Sequence, residues 1–253
     1  DDECLKYTGA EDLLFDYCRF LNVDGRETVA VIGDSHAHAA YPAIADFFKN
    51  KNKNTVLFAN SGCPPFLDHP MSGNSLRERE GCSRKINQLI ETLISKKEIK
   101  TVILLTRGTY YVTHTEPLTG DKVLQGLPNS YFDYLLGMQK TIDVLYESGM
   151  KIFYVTENPE LNYVAQACIE RPYRLSKIDC RPNKESVISR QKIYIEQINK
   201  LKNVKVISSI DVFCPYQKCM TYYDGKLLYA DDDHLSVAGS FFMFDKLLRK
   251  YFD

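Results

Sequence analysis

Apolar and polar positions along the chain fall into short β-branched runs separated by longer stretches with helical spacing. Thr28–Ile32, Thr55–Ala59, Thr101–Thr106, Lys151–Val155 and Val204–Ser208 are apolar runs too short for free-standing helices and suited to buried strands. Ala39–Lys49, Leu76–Lys97, Tyr131–Ser148, Lys184–Leu201 and Val237–Tyr251 are predicted helices. In the second of these, Ile86, Leu89, Ile90, Leu93 and Ile94 make an apolar stripe. Lys96, Lys97 and Lys100 come after it, where cations suit the negative end of the helix dipole. Strands that each lead into a helix imply a parallel sheet covered on both faces, wound by right-handed crossovers. The expected fold is therefore an α/β protein, a three-layer α/β/α sandwich with a central five-stranded parallel sheet of flavodoxin-like type.

Ligands of such sheets bind beyond the carboxyl ends of the strands. Gly33-Asp34-Ser35 ends the first strand, and Asp231-Asp232-Asp233-His234 leads into the last helix, so both are expected at one rim. Ser61–Asn74, Arg107–Asn129 and Glu157–Arg181 fit no regular element. Each comes after a strand, so they should crowd that rim as substrate walls.

A hydrophobic share of 44% and a charged share of 26% fit a globular chain, and no Gly-, Ser- or Pro-rich stretch divides its 253 residues. Residues 1–27 are read as a disulfide-tied N-terminal extension or linker, and 28–253 as one catalytic domain. With 32 basic against 33 acidic residues, nothing in the charge marks a nucleic-acid partner.

The eight cysteines change the picture most. No Cys-x-x-Cys zinc spacing occurs, and the count is even, which favours disulfides formed in an oxidising compartment. Neighbours in sequence lie near enough to pair locally. The expected bridges are Cys4–Cys18, Cys63–Cys82, Cys168–Cys180 and Cys214–Cys219, although eight cysteines admit 105 connectivities. No apolar run is long enough to cross a membrane. The chain is thus expected to be a mature exported product or a soluble piece of a larger membrane protein. The start at Asp1-Asp2-Glu3 reads as a linker remnant.

Ser35 alone reads as a helix N-cap before it reads as a nucleophile, and His234 alone as a hydrogen-bonded surface histidine before a base. Together, and with Asp231 three residues before His234, they make the parts of an activated oxygen nucleophile. Asp232 and Asp233 read as solvated or capping carboxylates. His36 and His38 read as structural hydrogen-bonding residues, and no metal site is expected because the sequence places no third ligand. Arg107 is weighed between a substrate contact and an ion pair. Tyr110 and Tyr111 are weighed between stacking on sugar faces and packing.

Gly33-Asp34-Ser35 near the start and Asp231-x-x-His234 near the end resemble the SGNH (GDSL-like) hydrolase superfamily. Gly33-Asp34-Ser35-His36-Ala37 and Asn60-Ser61-Gly62-Cys63-Pro64-Pro65 are similar to one branch, the periplasmic SGNH domain fused to membrane-bound sugar O-acyltransferases of the O-antigen acetylase type. The resemblance runs from Thr28 to Tyr251. It implies Ser35 as nucleophile, His234 as general base and Asp231 as the carboxylate that orients the imidazole. It implies the backbone N–H groups of Ser35 and Gly62 as the oxyanion hole. The family's further oxyanion asparagine has no counterpart in Leu104–Tyr111, which leaves either two donors or a substitute such as Arg107.

The resemblance and the cysteines together imply an exported O-acetyltransferase domain that moves an acetyl group onto a cell-surface polysaccharide through an acyl-serine. The acceptor would be a polysaccharide or lipid-linked oligosaccharide, the acyl donor a membrane acyltransferase domain, the location periplasmic within an inner-membrane protein, with no cofactor. An exported carbohydrate esterase or lipase with the same triad is the first alternative. A non-catalytic glycan-binding module is the second.

Overall fold

The computed structural model describes residues 1–9, 14–69, 75–113, 130–169 and 181–252. The chain opens with helix α1 (Asp2–Thr8) and strand β1 (Tyr17–Leu21), then alternates β2 (Thr28–Gly33), α2 (Ser35–Lys49), β3 (Asn54–Ala59), α3 (Leu76–Ser95) and β4 (Ile99–Leu105). The short helix α4 (Gly108–Thr113) and the long α5 (Ser130–Glu147) lead to β5 (Lys151–Val155). After it come α6 (Gln166–Ile169), α7 (Lys184–Ile198), β6 (Lys205–Ile207) and α8 (Ile210–Phe213). A hairpin of β7 (Tyr222–Tyr223) and β8 (Lys226–Leu227) precedes the final helix α9 (Val237–Phe252).

All five expected strands form, in the parallel order β3-β2-β4-β5-β6. The sheet nevertheless has six strands, because β1 adds to the β3 edge antiparallel, with Tyr17 opposite Ala59 and Leu21 opposite Thr55. The segment expected as an extension or linker is therefore joined to the main sheet. Two of the stretches expected to lack regular structure also carry short helices, α4 and α6.

Strands β2 and β3 are buried along their whole length, as continuous apolar runs covered on both faces require. Ala30, Ile32, Val56, Phe58, Val102 and Leu104 face the layer that holds α3 and α5. Val29, Val31, Leu57, Ile103 and Leu105 face α2 and α9. Helix starts are capped in sequence: Ser75 and Glu78 form a reciprocal capping box on α3, and Asn183 caps α7. On α2, Ser240 of α9 donates to the Ala40 carbonyl at 2.8 Å and so clamps the two helices that border the rim.

Three of the expected disulfides are present: Cys4–Cys18, Cys63–Cys82 and Cys214–Cys219. The first ties α1 to β1, and the second ties the turn after β3 to α3. The Cys168–Cys180 pairing lies outside the described residues, as do parts of all three expected substrate walls. Among the described residues, no helix is long and apolar enough to cross a membrane.

Candidate active site

The site grows from the ends of β2, β4 and β5. Gly33 closes β2 opposite Leu105 of β4, and a Cβ there would collide with the Leu105 carbonyl. The following residue, Asp34, is extended and buried, and its Oδ1 accepts the His36 amide at 2.8 Å. Asp34, not Ser35, is thus the N-cap of α2. Its other oxygen accepts the Arg107 amide at 2.8 Å, which pins the chain after β4 to the start of α2. Burial pushes the Asp34 carboxyl up, but His36 and these two amides outweigh it and hold it below its usual range. Freed from capping, Ser35 sits in the first turn, where backbone amides lack intrahelical acceptors.

The second half of the site is a tight turn between β8 and α9. The Ala230 amide donates to the His234 carbonyl at 2.9 Å, and Tyr229 bridges to Leu235. Asp231 Oδ1 accepts the amides of Asp233 and His234 at 3.0 and 2.7 Å, an Asx-type turn that aims its Oδ2 at the ring. The loop after β5 holds this turn from behind: Asn158 Nδ2 donates to the Asp233 carbonyl at 2.8 Å and the Leu161 amide to the Asp232 carbonyl at 2.7 Å.

These two halves bring Ser35 and His234 together. His234 Nε2 lies 2.7 Å from Ser35 Oγ, and His234 Nδ1 lies 2.8 Å from Asp231 Oδ2. A second carboxylate, Asp233, reaches the same Nδ1 at 2.9 Å through its Oδ1. Nδ1 faces two acceptors, so it carries a hydrogen. Burial pushes the imidazole down, but the two carboxylates outweigh it and raise His234 to about 10. Asp231 is correspondingly held well below the usual carboxylate range, burial opposing and the His234 contacts prevailing.

Asp233, expected to be a solvated or capping residue, is instead 5% exposed, and its Oδ2 lies 2.8 Å from Arg107 Nε. Arg107 in turn lies 2.6 Å from Glu160 Oε1, and Glu160 also accepts from Arg190. Arg107 thus makes the ion pair weighed for it, and its guanidinium stacks over Tyr110 at 4.8 Å. Tyr111 packs in the core against Phe66.

His36 is buried beside the site, its ring 4.8 Å from that of His234, with Asp34 at 3.4 Å and Asp233 at 3.9 Å. Among the described residues, neither ring nitrogen of His36 has a hydrogen-bond partner. His36, Asp233 and His234 gather ligand-type atoms within 4.8 Å of one another, the three-ligand convergence that spacing along the chain did not place. Asp231, Asp232 and Asp233 form a second such group. His38 stands on the rim, stacked on Tyr17 at 4.0 Å and 3.1 Å from Arg19, so β1 reaches the border of the site.

Gly62 occupies an exposed turn closed by the Cys63 amide on the Asn60 carbonyl at 3.1 Å, with a φ of 62° that glycine adopts freely. The Asn60 amide donates to the Gly33 carbonyl at 3.1 Å, which ties this turn to the end of β2 beside Ser35. The segment where an oxyanion asparagine is missing is occupied otherwise. Thr106 bonds Tyr154, the Arg107 amide bonds Asp34, and Thr109 bonds Glu157.

The residues not foreseen, Asp233, Glu160, Asn158 and Glu157, come after the expected strands or adjoin the expected histidine. Their only sequence signal was that position.

The family model described as the SGNH domain (fused to AT3 domains) matches residues 3–249. The periplasmic domain of a lipopolysaccharide acetyltransferase from Salmonella ser. Paratyphi A is similar with a TM-score of 0.65 and 17% identity, over 90% of this chain and 85% of its own. At that identity the likeness is one of fold. An acetyl xylan esterase, AlAXEase, shares 16% identity at a TM-score of 0.49, over 88% of this chain and 99% of its own, too remote to carry weight. No curated protein matches the sequence.

Proposed function

We propose, for a chain that belongs to the family of SGNH domains fused to AT3 domains, a serine-dependent O-acyltransferase domain acting outside the cytoplasm. The observation that carries this reading is the unbroken path from Asp231 through His234 to Ser35 Oγ, with links of 2.8 and 2.7 Å. The three disulfides and a fold like that of a periplasmic acetyltransferase domain support the location.

In the reaction, neutral His234 takes the proton of Ser35 as Oγ attacks the carbonyl carbon of an acyl donor. The oxyanion is met by the amides of Ser35 and Gly62. His234 returns the proton to the leaving group, and acyl-Ser35 remains. An acceptor hydroxyl then gives its proton to His234, attacks the ester, and Ser35 recovers its hydrogen. The donor would be supplied by an AT3 partner domain, the acyl group would be acetyl, and the acceptor a hydroxyl of a surface polysaccharide or lipid-linked oligosaccharide. No cofactor enters these steps.

Losing an oxyanion donor costs on the order of 100–1,000-fold in rate. A site with two backbone donors is therefore a poor hydrolase, which suits a transferase that must spare its acyl group from water. Two measurements test the reading. A fluorophosphonate should modify Ser35, with the adduct located by mass spectrometry and absent from S35A. Acyl release should rise when an oligosaccharide acceptor is added. Release that is fast and indifferent to acceptor would make the protein a carbohydrate esterase, and no adduct at all would leave a glycan-binding module.

A further inference from the structure

We infer that Asp233 is a second positioning carboxylate for His234, sharing with Asp231 the orientation of the imidazole and the stabilisation of its charge, and that Arg107 sets its aim. The inference rests on the acyl-transfer reading and deepens it. Three observations carry it. Asp233 Oδ1 stands 2.9 Å from His234 Nδ1, against 2.8 Å for Asp231 Oδ2, so distance does not rank one partner above the other. The Asp233 side chain is only 7% exposed where that of Asp231 is 45% exposed. A charge with less water around it acts more strongly on the ring. Finally, the Asp233 carboxylate is fixed from its far side: Arg107 holds Oδ2 at 2.8 Å, and Glu160 holds Arg107 at 2.6 Å. A plain structural ion pair between Arg107 and Asp233 would not need the remaining oxygen to point at the imidazole.

The groups around His234 come from every element packed on it. Its own turn supplies Asp231, Asp232 and Asp233. Helix α2 supplies Ser35, the buried His36 at 4.8 Å between ring centres, and His38 on the rim. The chain after β4 supplies Arg107, with Glu160 behind it. Among these, Asp233 is the group whose removal subtracts a negative charge from the ring while Asp231 still caps Nδ1.

The test is the rate of Ser35 modification by a fluorophosphonate across pH 6 to 11, together with an NMR titration of the His234 imidazole. Wild type, D231N, D233N, D233S, D233E and the D231N/D233N double variant are compared. A nearby opposite charge moves a pKa by about 1–3 units. Both neutral Asp233 variants should therefore shift the imidazole and the labelling midpoint toward acid by about one unit or more, with D233E staying near wild type. D231N alone should lose about 10–100-fold in rate and the double variant about 10,000-fold, the cost of leaving the imidazole without a carboxylate. Circular dichroism checks folding, and two neutral replacements guard against the failure of one. An unmoved imidazole midpoint in D233N and D233S, with D231N already as slow as the double variant, overturns the inference. A wild type that never labels sinks the acyl-transfer reading instead, and the imidazole titration still decides on Asp233.

Discussion

Two polar networks lie at the carboxyl end of the same sheet, and they are built on opposite plans. The relay at the end of β2 is charged, partly open and incompletely satisfied. Ser35, His234, Asp231 and Asp233 connect through Arg107 to Glu160, and both ring nitrogens of His36 lack hydrogen bonds among the described residues. The network under β4 and β5 is deeply buried and nearly fully bonded, with Gln191 Oε1 its one atom without a hydrogen-bond partner among the described residues. Tyr154 bonds Thr106 and Tyr134 at 2.8 Å and Tyr194 at 3.0 Å. Tyr194 accepts the Glu157 amide at 3.4 Å, and Glu157 accepts from Thr109 and Gln191.

Burial holds the three phenols in their neutral form, and burial together with the charge of Glu160 raises Glu157 to about 8. A neutral, almost fully bonded network contributes rigidity. A charged, partly open one holds groups whose proton affinities are shifted by their neighbours, as acid–base sites require. The two meet at Thr106-Arg107, one residue serving each.

The comparison breaks if damage to the two networks has the same consequence. H234Q should cut Ser35 labelling by about 1,000–10,000-fold, because the nucleophile loses its base. A melting curve accompanies the rate. The folded His234 pKa stands above its ordinary value of 6.5, so its stabilisation is whole below that pH and vanishes as pH rises through about 10. The melting deficit of H234Q should track that window.

Y154F is the reverse experiment. Removing the hydroxyl shared by Thr106, Tyr134 and Tyr194 should cost about 1–3 kcal/mol. That reads as about 2–4 °C of melting temperature per kcal/mol, with labelling by the folded protein unchanged. A labelling loss in Y154F as deep as that in H234Q would merge the two networks into one.

E157Q gives the smallest effect, a slope. An acid raised to about 8 in the fold and ordinary at 4.5 when unfolded makes the protein less stable as pH climbs between those values. E157Q should flatten the melting temperature over that range and leave labelling intact. An unchanged slope would mean Glu157 is not held neutral.

Much of this was legible before the fold. Thr28–Ile32 and Lys151–Val155 became β2 and β5 with hardly a residue's difference, because strands buried on both faces demand unbroken apolar runs. Ser35 and His234 were legible because each adjoins the end or beginning of a regular element, and parallel winding brings such ends to one rim. Strand β1 was not legible: Tyr17-Cys18-Arg19-Phe20-Leu21 is a half-exposed edge whose only specification is its register on β3. The short helices α4 and α6 escaped for want of length to show a period.

Within the aspartates, spacing singled out Asp231, since a carboxylate three residues before the histidine can close an Asx turn and meet the ring, and it does both. Asp233 gained its place from Arg107, far off along the chain, and from Asn158, which holds its carbonyl. Sequence alone determined what contiguous residues encode: the five parallel strands, the long helices and the nucleophile–base pattern. Tertiary structure alone brought a second carboxylate, Asp233, to the imidazole. That outcome depends on water exclusion and on ångström-scale aim, which are set by partners the chain brings in only when it folds.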